Sequence, residues 1–409
     1  MTESILHFHH KAKPPSPEIA DYEAMLERAR ALIPALKERA AATETLRRLP
    51  PETECDLHKA GLFRILQPKR IGGSEFDYVA LIDFPAELAR GDAAVAWNLA
   101  NLSSHHWMLG MFPPAAQDLL WNEDPDVLIA SSFVFPAGRA RRVDGGYRLS
   151  GRWPFSSGVE PSRWNILAGV VTPQDETEAS EMRMFLVPSS AYRIAGNWDA
   201  MGLGGTGSHD VETEDLFVPG FMTLGVHEVA GGAAPGSGVN PAPLYRLPVF
   251  ALFAFVLSGT AVGNAQACLD EYVASTRSRL AVYNKHKVGD FQSTQIKIAA
   301  AAARIDTARA IMRSTCIEAM EDARQGRIPG LEAKTRYRRD GAFSVNLCTE
   351  AVSMLFSASG AGGLFKSGGI EKRFRDAHAI NAHIAFNFDA AGSNYGRVLL
   401  GLPSENPAL

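Results

Sequence analysis

Met201 to Pro219 reads MGLGGTGSHDVETEDLFVP. Its first half holds a formal GxGxxG on Gly202, Gly204 and Gly207. A dinucleotide-binding turn needs a strand before those glycines and a helix after them, because the helix N-terminus receives the pyrophosphate. Here the glycines lead into Ser208 to Pro219, where Val211, Thr213, Asp215 and Phe217 alternate against acidic neighbours. A period of two predicts a strand. The glycines therefore read as a turn between strands, and a Rossmann-type nucleotide site is set aside.

Outward from that strand the surrounding zone is β-rich. Arg142 to Leu149 reads as a hairpin turning at Asp144-Gly145, and Trp164 to Val171 and Met182 to Val187 read as buried strands. The middle domain is set at 127–244 and read as an antiparallel β unit. On either side the pattern is helical. Helices are expected over Ala20 to Arg48, Glu52 to Ala60, Leu81 to Arg90 and Ala93 to Met111, giving an N-terminal helical domain at 17–126 behind a flexible N-terminus at 1–16. Gly225 to Pro243 reads as a mobile loop. Beyond it, Leu247 to Arg279, Ser293 to Arg324, Arg338 to Ala358 and Gly369 to Phe388 suggest a C-terminal four-helix bundle at 245–409. The fold class is α+β.

Composition narrows the function. The 409 residues are 46% hydrophobic and 21% charged, which excludes a disordered chain. With 41 Lys+Arg against 45 Asp+Glu, nothing in the charge asks for nucleic acid or an anionic membrane. The four cysteines, Cys55, Cys268, Cys316 and Cys348, form no CxxC, so no metal site is expected. The N-terminus has no apolar h-region, and the most apolar run, Leu247 to Leu257, is short for a bilayer span. The expectation is a cytoplasmic protein.

Several runs carry a resemblance. Met201 to Pro219, Gly151 to Gly158 (GRWPFSSG) and Arg375-Asp376-Ala377 resemble the signatures of the acyl-CoA dehydrogenase superfamily. Its dehydrogenases carry a glutamate base eight positions after the aspartate of the RD pair. Here Ile384 stands there, followed by Ala385, and neither can take a proton. SSHHWM (Ser103 to Met108), SSFVFPAG (Ser131 to Gly138), RWPFSSG (Arg152 to Gly158) and RDAHAINAH (Arg375 to His383) instead resemble the two-component, reduced-flavin-dependent monooxygenase branch, including the hydroxylases of p-hydroxyphenylacetate and of a secosteroid phenol.

That resemblance implies an oxygenase component that takes reduced FMN or reduced FAD and O2. It would carry oxygen as a C4a-hydroperoxide to an aromatic, phenolic substrate. A separate NAD(P)H:flavin reductase would supply the flavin, which fits the missing nucleotide motif. It further implies a homotetramer formed through the C-terminal bundle. Ser156 would meet flavin N5, with Ser157 the adjacent option and Phe155 beside them. Arg277, Arg279 and Ser359 are candidates for the flavin phosphate. His105 would share the phenol proton and Ser131 would orient the substrate; Arg246 could meet a substrate carboxylate, and His383 would support oxygen activation. Ser131 follows His105 by 26 positions and Ser156 follows Ser131 by 25. The shifted set His106, Ser132 and Ser157 has the same spacing, so arithmetic leaves both open; the H-x-W pattern favours His105. The alternatives are an N-, S- or indole oxygenase of the same branch, and an acyl-CoA dehydrogenase with a displaced base.

Overall fold

The computed structural model describes residues 17–173, 179–282 and 285–409. The flexible segment expected at 1–16 lies outside them. The N-terminal helices are α1 (Pro17–Leu46), α2 (Pro51–Lys59), α3 (Ala80–Ala89), α4 (Ala93–Leu109) and α5 (Pro114–Trp121). Strands follow: β1 (Ile129–Ser132), β2 (Gly138–Val143), β3 (Gly146–Ser156), β4 (Trp164–Val171), β5 (Glu181–Pro188), β6 (Arg193–Ile194), β7 (His209–Pro219) and β8 (Thr223–Gly225). The chain closes with α6 (Val249–Ser278), α7 (Gln292–Arg324), α8 (Leu331–Ser359), α9 (Ile370–Asn381) and α10 (Phe388–Leu399). The helix expected at 369–388 is thus two pieces, α9 and the start of α10, broken at His383 to Asn387.

The sheet runs β6-β7-β3-β2-β4-β5-β8. Most pairs are antiparallel, as expected. β1 and then β2 lie parallel along one edge of β4, an addition that local patterning cannot reveal because the partners are distant in sequence. β3 and β7 share the longest register, from Gly146↔Pro219 to Ser156↔His209.

The glycine turn that opened the sequence reading is the junction of the three layers. A side chain at Gly202 would collide with the backbone of Arg375 in α9, so only glycine fits there. Asp376 accepts the Leu203 N–H at 2.7 Å, and Arg375 donates to the Met201 carbonyl at 2.6 Å. The turn's own backbone groups are thus taken up by side chains of α9, where a phosphate site would need free N–H groups.

Two expectations change. Gly225 to Pro243 is fastened: buried Asn240 donates to the Gly110 carbonyl at 2.7 Å and to Gln117 at 2.8 Å. Glycine and proline content signals a loop but says nothing about what one polar side chain can tie down. And α6 is, by length and composition, apolar enough to cross a membrane, with 89% of its apolar window buried inside the protein. It is the helix against which α3, α4, α7, α8 and α9 pack. Helix α3 comes so close that Gly263 of α6 has no room for a side chain against Ala86.

Candidate active site

Helix α4 is buried along its whole length and is capped by Asp92, which accepts the N–H groups of Ala94 (2.7 Å) and Val95 (3.2 Å). Its polar side chains must therefore find partners inside the protein. His105 and His106 diverge by about 100° around the helix and meet different surroundings. His106 stacks on Trp121 and accepts its indole N–H through Nδ1 at 3.2 Å. His105 donates Nδ1–H to the Ile129 carbonyl, in a short hydrogen bond. A carbonyl only accepts, so the proton is on Nδ1 and Nε2 carries the lone pair. That Nε2 is buried and has no partner among the described residues. Burial holds the imidazole pKa down to about 4, so the ring is neutral at pH 7 and Nε2 is a hydrogen-bond acceptor.

Ile129 and Ser131 belong to the same short strand, so β1 brings Ser131 to the His105 side of the site. Ser131 makes no side-chain hydrogen bond among the described residues, whereas Ser132 donates to the Pro154 carbonyl at 2.7 Å. At the end of β3 the pattern repeats. Ser157 accepts from Trp97 at 3.1 Å, shares a proton with Ser208 at 2.7 Å, and is used up in that network. Ser156 is fully buried and accepts the Asn165 amide at 2.9 Å, leaving its own O–H without an acceptor among the described residues. Just before them, between Trp153 and Ser156, the strand is bulged, and Phe155 sits at φ 61° and is 63% exposed. A bulky side chain in the left-handed region costs about 1–3 kcal/mol, strain that clusters at ligand sites. Ser132 and Ser157 are thus bonded to protein, while Ser131 and Ser156 each keep an unused hydroxyl. His105 and His106 both bond through Nδ1 and both keep a buried Nε2 without a partner among the described residues, and it is His105 that lies against the Phe133 ring.

His383 follows α9. Its Nδ1 accepts the Ala385 N–H at 3.2 Å, which puts the proton on Nε2. Burial, helped by the positive charge of Arg338, lowers its pKa to about 4. His383 is therefore a neutral donor where His105 is a neutral acceptor. Aromatic rings join them: His105 to Phe133 (6.1 Å between centroids), Phe133 to Phe253 (5.6 Å), Phe253 to His383 (6.1 Å), and His383 on to Trp97 (5.6 Å). Phe250 packs on both Phe133 and Phe253. His378 is occupied elsewhere, bonded to Ser353 at 3.1 Å and packed on Phe374.

The low histidine pKa values have a measurable consequence. A histidine that stays neutral in the folded state and titrates normally when unfolded stabilises the protein above about pH 6.5 and loses that contribution as pH falls toward 4. At about 1.4 kcal/mol per unit, His105 alone contributes about 3 kcal/mol. Urea unfolding is expected to show less stability at about pH 4.5 than at about pH 7, and His105→Asn should flatten that difference. An unchanged slope in the variant would show that His105 is not held neutral.

The phosphate candidates divide. Arg279 donates to the carbonyls of Ala358 (3.1 Å) and Ser359 (3.0 Å) and lies over the Tyr272 ring. With Ser359 and the glycines after it, Arg279 lines a surface cleft of about 500 Å³. Arg277 is exposed and outside that cleft; Arg246 is exposed and, among the described residues, bonded only through its carbonyl, by the Gly232 N–H. No group of three or more metal-ligating side chains occurs among the described residues. Sequence reading missed Trp97, Asn101, Asn165, Phe250, Phe253 and Arg338. Asn101 donates to the Ser157 carbonyl at 3.1 Å, and Arg338 to the Phe250 carbonyl at 2.8 Å.

The residues present fit a reduced isoalloxazine. An O–H donor at a strand end, an exposed aromatic beside it, and apolar rings that exclude water are the groups such a ring needs.

Comparison with known proteins agrees. Residues 255–388 match the family model described as acyl-CoA dehydrogenase, C-terminal domain. The FADH(2)-dependent resorcinol hydroxylase oxygenase component of Rhizobium sp. is 34% identical over 374 residues, covering 89% of this chain and 90% of its own. The crystal structure of a 3-HSA hydroxylase from Rhodococcus sp. RHA1 superposes with a TM-score of 0.89 at 32% identity, covering 94% of this chain and 99% of its own. XiaF from Streptomyces sp., solved with FADH2 and glycerol, gives 0.88 at 25% identity, covering 96% and 98%.

Proposed function

The chain belongs to the two-component, flavin-dependent oxygenases of acyl-CoA dehydrogenase fold and is a reduced-flavin-dependent monooxygenase; from that premise we propose that its substrate is a phenol held through the hydroxyl by His105 and Ser131. The observation that carries this reading is the position of a neutral His105 against a cluster of aromatic rings, with its buried Nε2 lacking a partner among the described residues.

Reduced flavin, FMN or FAD, supplies the electrons that activate O2 for electrophilic transfer. Everything else falls to side chains. His105 accepts a hydrogen bond from the phenol O–H and takes that proton as the ring gains oxygen, when the phenol becomes far more acidic. Ser131, with a hydroxyl free to donate or accept, fixes the same oxygen. Ser156 offers its spare O–H to flavin N5, while Asn165 holds the serine oxygen in place. Nε2–H of His383 donates to oxygen as negative charge develops there. Phe133, Phe250 and Phe253 wall the site and keep water out. Ile384 and Ala385, where a dehydrogenase needs its carboxylate, supply no base.

A separate NAD(P)H:flavin reductase delivers the reduced flavin, which would put the protein in the cytoplasm. Arg279 and Ser359 are the favoured phosphate contacts because they already share one cleft. Assembly is a homotetramer through the C-terminal bundle, supported by apolar side chains exposed there, among them Leu364, Phe365, Ile384 and Leu400. The test is turnover with a flavin reductase, NADH and a panel of phenols, indoles and sulfur heterocycles. Hydroxylated phenols are the expected products. Oxygenation confined to indoles or thiophenes would replace this reading with that of an N- or S-oxygenase.

A further inference from the structure

A closed circuit of polar contacts joins the three layers beside the site, and counting protons gives its direction. Thr206 gives its only hydroxyl proton to the Leu203 carbonyl at 2.9 Å. In the 2.7 Å contact between Thr206 and Ser208 the proton therefore comes from Ser208. Ser208 then has none left for Ser157, and in their 2.7 Å contact Ser157 is the donor. Ser157 in turn accepts the indole N–H of Trp97, on α4, at 3.1 Å. From Leu203 the circuit runs on into α9. The Leu203 N–H donates to Asp376 Oδ1 at 2.7 Å, and Lys372 Nζ donates to Asp376 Oδ2 at 2.7 Å. Lys372 also faces Asp92 Oδ2 at 3.6 Å, and Asp92 Oδ1 caps α4, the helix that carries Trp97.

Lys372 is the one cation in that circuit. Asp92 and Asp376 are each 1% exposed, and Asp92 Oδ2 has no hydrogen-bond partner among the described residues, so the ammonium balances both carboxylates. The neighbouring Arg373 is occupied elsewhere, with the Ala89 and Arg90 carbonyls and Glu271, each at 3.0 Å. Burial opposes the Lys372 charge, but Asp92 and Asp376 outweigh it and raise the pKa. The circuit touches the site at two points. Trp97 lies edge-on to the His383 ring, and Ser157 directly follows Ser156. Helix α9 itself leads into His383. We propose that Lys372 is a positioning residue for oxygen transfer. By closing the circuit it keeps α4, the end of β3 and α9 in one register, and so sets where His383 and Ser156 stand relative to each other. This rests on the roles given to Ser156 and His383 above. A polar network is strong only while every member is satisfied, so opening it at any link loosens both points together.

The test is a double-mutant cycle across the two halves of the circuit. The readout is the ratio of hydroxylated product to peroxide in single turnovers, with enzyme in excess of reduced flavin. With all flavin bound, that ratio belongs to the folded molecule and is blind to a lower melting temperature. Ser208→Ala opens the hydroxyl half and Lys372→Met the charged half. Each should lower the ratio by roughly tenfold, part of the hundredfold that a misplacement of about 1 Å can cost. The double variant should stay within about twofold of the lower single one, because a circuit already open has little left to lose. Lys372→Arg, which keeps the charge, should recover part of the ratio. Lys372→Met leaves two buried carboxylates unbalanced. Should it not fold, Asp92→Asn takes its place in the cycle, since asparagine keeps the helix cap and removes the attraction to Lys372. A wild-type ratio in folded Lys372→Met or Asp92→Asn, or losses that multiply in the double variant, would overturn the proposal while phenol hydroxylation stood. Wild type that oxygenates only indoles or thiophenes would discard the phenol reading, and the same cycle run on that product would still decide the circuit. Non-additive losses in the cycle with none in Ser156→Ala would keep the circuit and discard the Ser156 assignment.

Discussion

Replacing His105 with alanine is expected to lower phenol hydroxylation by about 10²–10⁴-fold, the range for a lost proton acceptor at a reacting centre. Oxygen consumption should continue, now ending in released hydrogen peroxide, because nothing in the flavin-facing set has been touched. The expected loss follows from the His105 tautomer. The Ile129 carbonyl fixes the proton on Nδ1, burial keeps the ring neutral, and Nε2 has no partner among the described residues. His106→Ala is the control. It removes the acceptor for the Trp121 indole and should reduce stability while the ratio of product to peroxide stays near that of wild type. Comparable loss of hydroxylation in both variants would reduce His105 to a packing residue. The measurement is product and peroxide formed per reduced flavin oxidised.

Ser156→Ala is expected to act at the other end of the site. Loss of a single donor at a charged reaction centre typically costs about 10²–10³-fold. The ratio of product to peroxide should fall by that order, even with substrate bound. A second effect accompanies it: the Asn165 amide loses its partner, and leaving a buried donor unpaired costs about 1–3 kcal/mol. Ser156→Thr keeps both roles and should recover much of the coupling. Ser157→Ala should instead disturb the Trp97–Ser208 network, with a smaller loss of coupling. If Ser157→Ala uncouples the enzyme and Ser156→Ala does not, the flavin-facing serine is the other one.

Much of the architecture was legible because its signals are local. The alternation in β7, the Asp144-Gly145 hairpin and the helical periods each lie within one short window. What escaped depends on distant partners. The parallel pairing of β1 and β2 with β4 joins segments about 30 positions apart. Asn240, which ties down the glycine-rich segment, looks like any loop residue until Gly110 and Gln117 are placed beside it.

The candidate site divides in the same way. Spacing and resemblance reached two neighbouring sets of His, Ser and Ser, and one-dimensional arithmetic could go no further. In three dimensions the serines differ in hydrogen-bond occupancy, since Pro154 takes up Ser132 and Trp97 and Ser208 take up Ser157, whereas the two histidines differ in their surroundings, His105 against Phe133 and His106 against Trp121. Arg338 was hidden in RYRRD, a run that reads as a solvated charged face.

The most direct test is a single turnover under 18O2 with flavin-reduced enzyme, given a phenol and, separately, its O-methyl ether. A hydroxyl that His105 must grip and deprotonate cannot be replaced by a methoxy group. The expected result is one 18O atom in the product from the phenol, and from the ether only peroxide and unchanged starting material. Equal labelling of the two would contradict phenol activation by His105 and, with it, the assignment of the site.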